Sequence, residues 1–354
     1  MNDKEIVLVT GGTGFLGMHI LFQLVQKGYS VRTTIRDKAS IGVVLQTLKD
    51  NGIYNLEGLS FYEADLNHDK NWENAIRGCT YILSVAAPVF FDKPKNVGEA
   101  MRPAREGILR ILKLAKKEGV KRVIMTSNFG AVGFTQTDRT RATTEEDWTD
   151  TGHRGVSVYE KSKTLAERAA WEFIKKEGEN LEFATINPVA ILGPGLNSHV
   201  SGSFHLLETL LDGSLKVIPN IPLNVVDVRD VAKLHICAME TVEANGNRFI
   251  ASADGQISLP EIAELLKMER PEVSRKVASR TLPSLVLTIA SLFNARAREG
   301  AMLAKINRNV SNQKAKNILK WTPMATQEET ILASVDAMKK YNFIKEQSND
   351  VEDH

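Results

Sequence analysis

Tyr159-Glu160-Lys161-Ser162-Lys163 opens a stretch of helical periodicity, and residues four apart on a helix share one face, so Tyr159 and Lys163 stand side by side. A phenol of ordinary pKa near 10 holds its proton too firmly, or as phenolate is too rare, to serve a proton transfer at neutral pH. A cation beside it lowers that pKa. The pair is therefore a candidate general acid for a reaction that builds negative charge on an oxygen.

A second chemical signature lies at the start of the chain. Thr10-Gly11-Gly12-Thr13-Gly14-Phe15-Leu16-Gly17 follows the β-branched run Ile6–Thr10 and leads into a helical pattern. In that setting GxxGxxG spacing cradles a pyrophosphate. Gly11 permits the tight turn, Gly14 lets backbone approach phosphate, and Gly17 lets the helix lie close on the strand. The helix N-terminus then faces the phosphates with free N–H groups. Gly11, Thr13, Gly14, Phe15, Leu16 and Gly17 are thus candidate cofactor ligands. After the second β-branched run the chain reads Thr34-Ile35-Arg36-Asp37-Lys38. A carboxylate at that place accepts from a ribose 2′-hydroxyl, whereas arginine pairs with a 2′-phosphate. Arg36, with Lys38 near, favours NADP; Asp37 turned inward would serve NAD instead.

The elements that must position these residues alternate. Strands are expected at Ile6–Thr10, Ser30–Ile35, Leu59–Glu63, Tyr81–Val85, Arg122–Thr126, Phe183–Asn187 and Val225–Asp227, with helices such as Phe15–Gln26, Ala100–Glu118 and Lys161–Lys176 between them. Repeated βαβ units imply an α/β fold with a Rossmann-type, doubly wound parallel sheet. Beyond Pro188, prolines and glycines break the chain before a mainly helical stretch. Residues 1–188, with 223–250 returning to them, are expected to form the nucleotide lobe, residues 189–222 and 251–345 a smaller substrate lobe, and 346–354 a flexible tail. Leu282–Phe293 contains Pro283 and is too short to span a bilayer, so a buried or pocket-lining helix is expected there.

Composition narrows the function classes. The chain has 354 residues, 43% of them apolar, with 45 Lys and Arg against 43 Asp and Glu. Scattered charge of net +2 makes nucleic acid a poor partner. Cys79 and Cys237 have no metal-ligand spacing, and together with the lack of a leader-like start they suit a reducing, cytoplasmic setting. His153, His199 and His205 form no metal motif, so no metal is expected. Glu145, Glu146 and Asp147 read as solvated loop acids, and Phe90, Phe91, Phe129, Phe134, Leu206 and Leu210 as pocket wall or core.

Taken together the motifs resemble the extended short-chain dehydrogenase/reductase family, in the branch of dihydroflavonol reductases, cinnamoyl-CoA reductases and microbial aldehyde or ketone reductases. The likeness rests on TGGTGFLG at Thr10–Gly17, VRTTIRD at Val31–Asp37, ADL at Ala64–Leu66 and SVAAP at Ser84–Pro88. It continues in YEKSKTLAERAAWEF at Tyr159–Phe173, INPVAILGPG at Ile186–Gly195 and VDVRDVA at Val226–Ala232. It covers about the first 250 residues well and the rest loosely. The resemblance implies that Asp65 and Leu66 hold the adenine, that Val85, Ala86 and Ala87 line the ribose and pyrophosphate path, and that Pro188, Ile191 and Ser203 lie near the nicotinamide. Tyr159 would be proton donor and Lys163 its partner on the nicotinamide ribose.

The chain departs from the family at one catalytic position. Where the family carries a serine at the end of the fifth strand, Thr126-Ser127-Asn128-Phe129 puts Asn128. An amide N–H donates to a carbonyl oxygen as a hydroxyl does, so Asn128 is the expected donor and Ser127 the reserve. Gly133 stands where the plant dihydroflavonol reductases carry a polar residue, and the NWYCY-like motif of cinnamoyl-CoA reductases is absent. The expected activity is NADPH-dependent reduction of a small-molecule aldehyde or ketone by a monomer or homodimer, with no membrane or nucleic-acid partner. A nucleotide-sugar epimerase or dehydratase retaining NAD, and an NADP-sensing regulator without catalysis, are the alternatives.

Overall fold

The computed structural model describes residues 5–87, 97–153, 155–293 and 295–345. Phe90, Phe91 and the tail from Glu346 lie outside the described residues. Seven strands, β1 (Ile6–Val9), β2 (Ser30–Ile35), β3 (Leu59–Glu63), β4 (Tyr81–Ser84), β5 (Arg122–Thr126), β6 (Glu182–Pro188) and β7 (Arg248–Ala251), form one sheet in the order β7-β6-β5-β4-β1-β2-β3. Every pairing is parallel, with Val7 opposite Val31 and Leu83 opposite Ile124. Strand order reverses between β1 and β4, and a crevice opens above such a switch point.

The helices flanking the sheet are α1 (Phe15–Gln26), α2 (Ser40–Asp50), α3 (Trp72–Ile76), α4 (Val97–Lys117), α5 (Val158–Glu177), α6 (Phe204–Leu211) and α7 (Val228–Glu240). Successive strand residues point to opposite faces, and both faces are apolar. Val7, Val9, Leu83, Ile124 and Ile186 pack in one core with α1, α2 and α7. Leu8, Ile82, Val123, Met125 and Phe183 pack in another with α3, α4 and α5. Each such side chain, fully buried, contributes about 1.5–3 kcal/mol, so the two cores hold the strand ends in place beneath the crevice.

Three expectations change. Val225–Asp227 is a strand, but it pairs in parallel with Ala190–Leu192 outside the main sheet, and the seventh place belongs to Arg248–Ala251. A run of three residues carries no information about which partner it finds. Helix α5 starts at Val158 rather than Lys161, because Ser157 caps it by accepting from the Glu160 N–H. The segment after Pro283 does form a helix, Ser284–Ala290, yet Val286, Ile289, Leu292 and Phe293 face solvent while Leu287 is buried. It packs mainly against the next helix, Ala295–Leu303, which is too little cover for an apolar stretch of that length.

Two buried histidines tie the layers together. His19 on α1 donates from Nε2 to the Pro194 carbonyl at 2.9 Å. His235 on α7 donates from Nδ1 to Val231 at 2.8 Å, since that carbonyl can only accept, which leaves Nε2 to receive the Thr126 hydroxyl at 2.7 Å. Burial lowers both imidazoles from 6.5 to about 4. The unfolded chain therefore takes up protons below about 6.5 that the fold refuses until about 4, at a cost on the order of 3 kcal/mol per histidine. Asp230 works the other way: burial raises its carboxyl to about 6, and that penalty is relieved as pH falls. The histidines outnumber it, so the free energy of unfolding should drop by a few kcal/mol between pH 7 and 4.5. Urea titrations across that range check this, and His235→Gln, though less stable at pH 7, should show a shallower decline; a flat or rising wild-type profile contradicts it.

Candidate active site

A cavity of about 880 Å³ runs from the end of β2, across the glycine loop, to the loops beyond β6. Its loop is stitched to the two strands that flank β1. The Gly11 N–H donates to Thr34 Oγ1 at 3.0 Å, and Thr10 Oγ1 accepts from the Val85 and Ala86 N–H groups at 2.9 Å each. Gly11 adopts φ +71, open to glycine. A Cβ on Gly17 would lie 2.2 Å from the Gly11 carbonyl oxygen, so α1 can approach the loop only without a side chain there. No side chain caps α1, whose first-turn N–H groups open on the cavity wall formed by Gly14, Phe15 and Leu16.

Gly11, Thr13, Gly14, Phe15, Leu16, Gly17, Arg36, Asp65, Leu66, Val85, Ala86 and Ala87 all line this cavity. Lys38 does not: it is exposed in the turn before α2. Asp37 also lies off the wall, its Oδ1 accepting from the Ala39 N–H at 2.9 Å. The carboxylate that would read a ribose hydroxyl is thus engaged in a turn, while Arg36 is on the cavity wall. These residues fit a dinucleotide with a 2′-phosphate.

At the far end, α5 carries Tyr159 in its first turn and Lys163 one turn on. Tyr159 presents 47% of its surface to the open cavity. It nonetheless sits deep enough in the cleft that loss of water raises its phenol, with the Glu160 carboxylate adding to the rise and a hydrogen bond from the Asn128 side chain opposing it. That is the reverse of the lowering expected from Lys163. Burial brings the Lys163 ammonium itself down to about 8, with Glu167 acting against the fall. Asn128 caps the 3₁₀ turn Phe129–Ala131 with Oδ1, which accepts from the Ala131 N–H at 3.2 Å. Its NH₂ is what remains to donate toward the cavity, and Gly130 leaves the amide room, since a Cβ there would come within 3.0 Å of Oδ1.

Ser127 is differently placed. Its hydroxyl donates to Glu167 Oε2 at 2.5 Å, and the same carboxylate receives Asn187 Nδ2 at 2.8 Å, Thr185 Oγ1 at 3.1 Å and Arg248 Nε at 2.7 Å. A hydroxyl has one proton, and this one is spent on a buried anion. Thr126 is likewise bonded to His235.

Pro188, Ile191 and Ser203 line the cavity, as do Phe129 and Phe134, whose rings meet edge to face at 6.2 Å. Leu210 is buried in the core and Leu206 packs against it. Reading by motif missed Arg308, Asn224, Leu223 and Leu303, which complete this wall from loops and the last third of the chain; no local pattern marks them. Glu145 is not the solvated acid expected: it is buried, and its carboxylate accepts from the Ile250 N–H at 3.0 Å. His199 lines the cavity and His205 faces Glu208 at 3.3 Å, while no group of three metal-binding side chains occurs among the described residues. No helix among the described residues is long and apolar enough to cross a membrane.

Residues 8–256 match the 3-beta hydroxysteroid dehydrogenase/isomerase family. An anthocyanidin reductase from Vitis vinifera is 33% identical over 284 residues, 76% of this chain and 82% of the relative. The cinnamoyl-CoA reductase CAD2 of Medicago truncatula is 30% identical over 348 residues, 97% of this chain and 98% of the relative. Among solved structures, Gre2 from Candida albicans in complex with NADPH superposes with a TM-score of 0.77 at 25% identity, covering 95% of this chain and 99% of that one.

If Arg36 holds a 2′-phosphate, Arg36→Ala should weaken NADPH binding by about 1–3 kcal/mol and leave NADH almost unchanged. Fluorescence titration of both cofactors gives the deciding ratio, and a wild type that prefers NADH would assign the reading to Asp37.

Proposed function

The chain belongs to the 3-beta hydroxysteroid dehydrogenase/isomerase family, among the extended short-chain dehydrogenases/reductases, and as an NAD(P)-dependent oxidoreductase of that family we propose that it reduces an aldehyde or ketone to an alcohol with NADPH. Residues 1–188 with 223–250 hold the cofactor in this reading, and 189–222 with 251–345 close the substrate end. The observation that carries it is that Tyr159, Lys163 and Asn128 line the same cavity as the glycine loop, with Lys163 one helical turn from Tyr159.

Bound NADPH supplies the hydride, which goes to the carbonyl carbon. Tyr159 gives its proton to the carbonyl oxygen, and the phenolate left behind recovers a proton from solvent. A phenol raised by burial is protonated throughout the neutral range, which suits an acid in the reductive direction. Lys163, mostly protonated at neutral pH with its pKa near 8, stabilises the phenolate as it forms and binds the nicotinamide ribose. Asn128 donates from Nδ2 to the carbonyl oxygen as charge builds there. Ser127, committed to Glu167, keeps the end of β5 in place.

Purified protein should oxidise NADPH on mixing with a simple aromatic aldehyde. Tyr159→Phe should keep NADPH affinity and lose at least two orders of magnitude in turnover, on the scale of general acid catalysis; near wild-type turnover would remove Tyr159 from the chemistry. The donor is settled by ranking three variants on one aldehyde at saturating NADPH. Asn128→Ala should be the severe one, down about 100-fold or more, Asn128→Ser should retain much of the rate, and Ser127→Ala should be milder in turnover than Asn128→Ala. The opposite order would make Ser127 the donor.

A further inference from the structure

Three arginines are buried among the described residues, and they differ in what surrounds the charge. Arg122 meets Glu182 at 2.7 Å and the carbonyls that end α7, Ala238 at 2.9 Å and Met239 at 3.0 Å. Arg248 pairs with Glu167. Arg308 keeps 8% of its surface and its Nε has no hydrogen-bond partner. Burial lowers its guanidinium to about 10, with no carboxylate to oppose the fall. What lies near are the rings of Phe129 and Phe134, 5.9 and 5.7 Å from the guanidinium carbon. Two ring faces return far less than a buried cation loses in hydration. A charge kept in that condition on the wall of a ligand cavity is complementary to something that enters it.

A second orphan sits on the same wall. Asn224 donates from Nδ2 to the carbonyls of Gly255 at 2.9 Å and Arg308 at 3.0 Å, so its amide cannot flip without losing both bonds, and Oδ1 is left buried with no donor. Its neighbours on the wall, Leu223 and Leu303, are apolar.

We propose that Arg308 is a specificity residue that binds a carboxylate on the carbonyl substrate, so that the molecule reduced is an aldehyde or ketone with an apolar body and an acidic group remote from the reacting carbon. The planar fork of arginine matches a carboxylate with two parallel bonds. A phosphate dianion would ask for further donors, and Asn224, the polar side chain bonded to the Arg308 backbone, has spent its N–H groups on two carbonyls. The inference deepens the reduction reading and rests on it for the ligand's being a substrate.

The test uses product analogues that differ in charge and little in shape. 4-(Hydroxymethyl)benzoate and neutral 4-(hydroxymethyl)benzamide are titrated by calorimetry into the full chain saturated with NADP⁺. Wild type should bind the acid at least tenfold more tightly than the amide. Arg308→Met should bring the ratio to one or below, Arg308→Lys should restore part of it, and NADPH affinity should stay within twofold. Should the Met variant not fold, Arg308→Gln carries the same comparison. No measurable binding of the acid, equal binding of acid and amide, or a preference that survives the loss of the guanidinium overturns the proposal. So does a loss of NADPH affinity with the ratio unchanged, which would give Arg308 to the cofactor. Turnover of the two corresponding aldehydes separates this from the underlying reading: acid preference in binding with no NADPH oxidation would remove the reductase reading alone, and equal oxidation of both aldehydes would remove the subsite alone.

Discussion

Glu167 has no exposed surface, and a buried carboxylate must be fully partnered or it costs the fold several kcal/mol. Its partners come from three adjacent strands: Ser127 after β5, Thr185 and Asn187 on β6, and Arg248 on β7, with the indole of Trp171 on its own helix at 3.3 Å. Helix α5 can satisfy them all in one position only. Tyr159, Lys163 and Glu167 follow at i, i+4 and i+8, a single stripe of the helix. Anchoring Glu167 to the sheet therefore sets the height and rotation of the two residues that line the cavity, and the same carboxylate supports the charge on Lys163.

That anchor also sets Ser127 and Asn128 apart. Both residues line the cavity, but the Ser127 hydroxyl serves the Glu167 carboxylate, whereas Asn128 carries an NH₂ donor of its own. Position in the hydrogen-bond network, rather than residue type, separates the side chain that holds the architecture from the one that keeps an uncommitted donor. Arg248 extends the network outward, reaching the Glu145 and Asp147 carbonyls at 2.6 and 2.8 Å and lying 3.7 Å over the Trp148 ring. The loop that precedes α5 is thereby drawn onto β7, which is why an acid expected in solvent is buried.

The last third of the chain reaches the cavity through a different set of bonds. Asn307 donates to the carbonyls of Asp138 and Arg141 at 2.7 and 2.8 Å, and Thr143 brackets the same segment by donating to the Asn309 carbonyl and accepting from the Ser311 N–H. Asn312 and Gln327 bond to the backbone of Ser252 and Asp254 beyond β7. The segment 307–312 is held on both sides, so Arg308 is presented at the wall by the bonds of its neighbours, while its own Nε makes no hydrogen bond.

The nucleotide loop, the alternating strands and helices, and the Tyr159 and Lys163 pair were legible because each is a local pattern. A glycine spacing, a β-branched run and an i, i+4 pair act over a few residues, and their physics is complete within that span. The seventh strand, the buried state of Glu145, the exposed face of Ser284–Ala290 and the direction of the Tyr159 shift were not legible, because each is set by what packs against the residue from elsewhere in the chain. Asn128 and Ser127 mark the boundary most sharply. The motif alone points to two adjacent side chains at the end of β5 as candidate donors and does not choose between them. Tertiary packing distinguishes them, because it brings Glu167 from 40 residues away to take the single proton of Ser127, a contact that no local pattern carries.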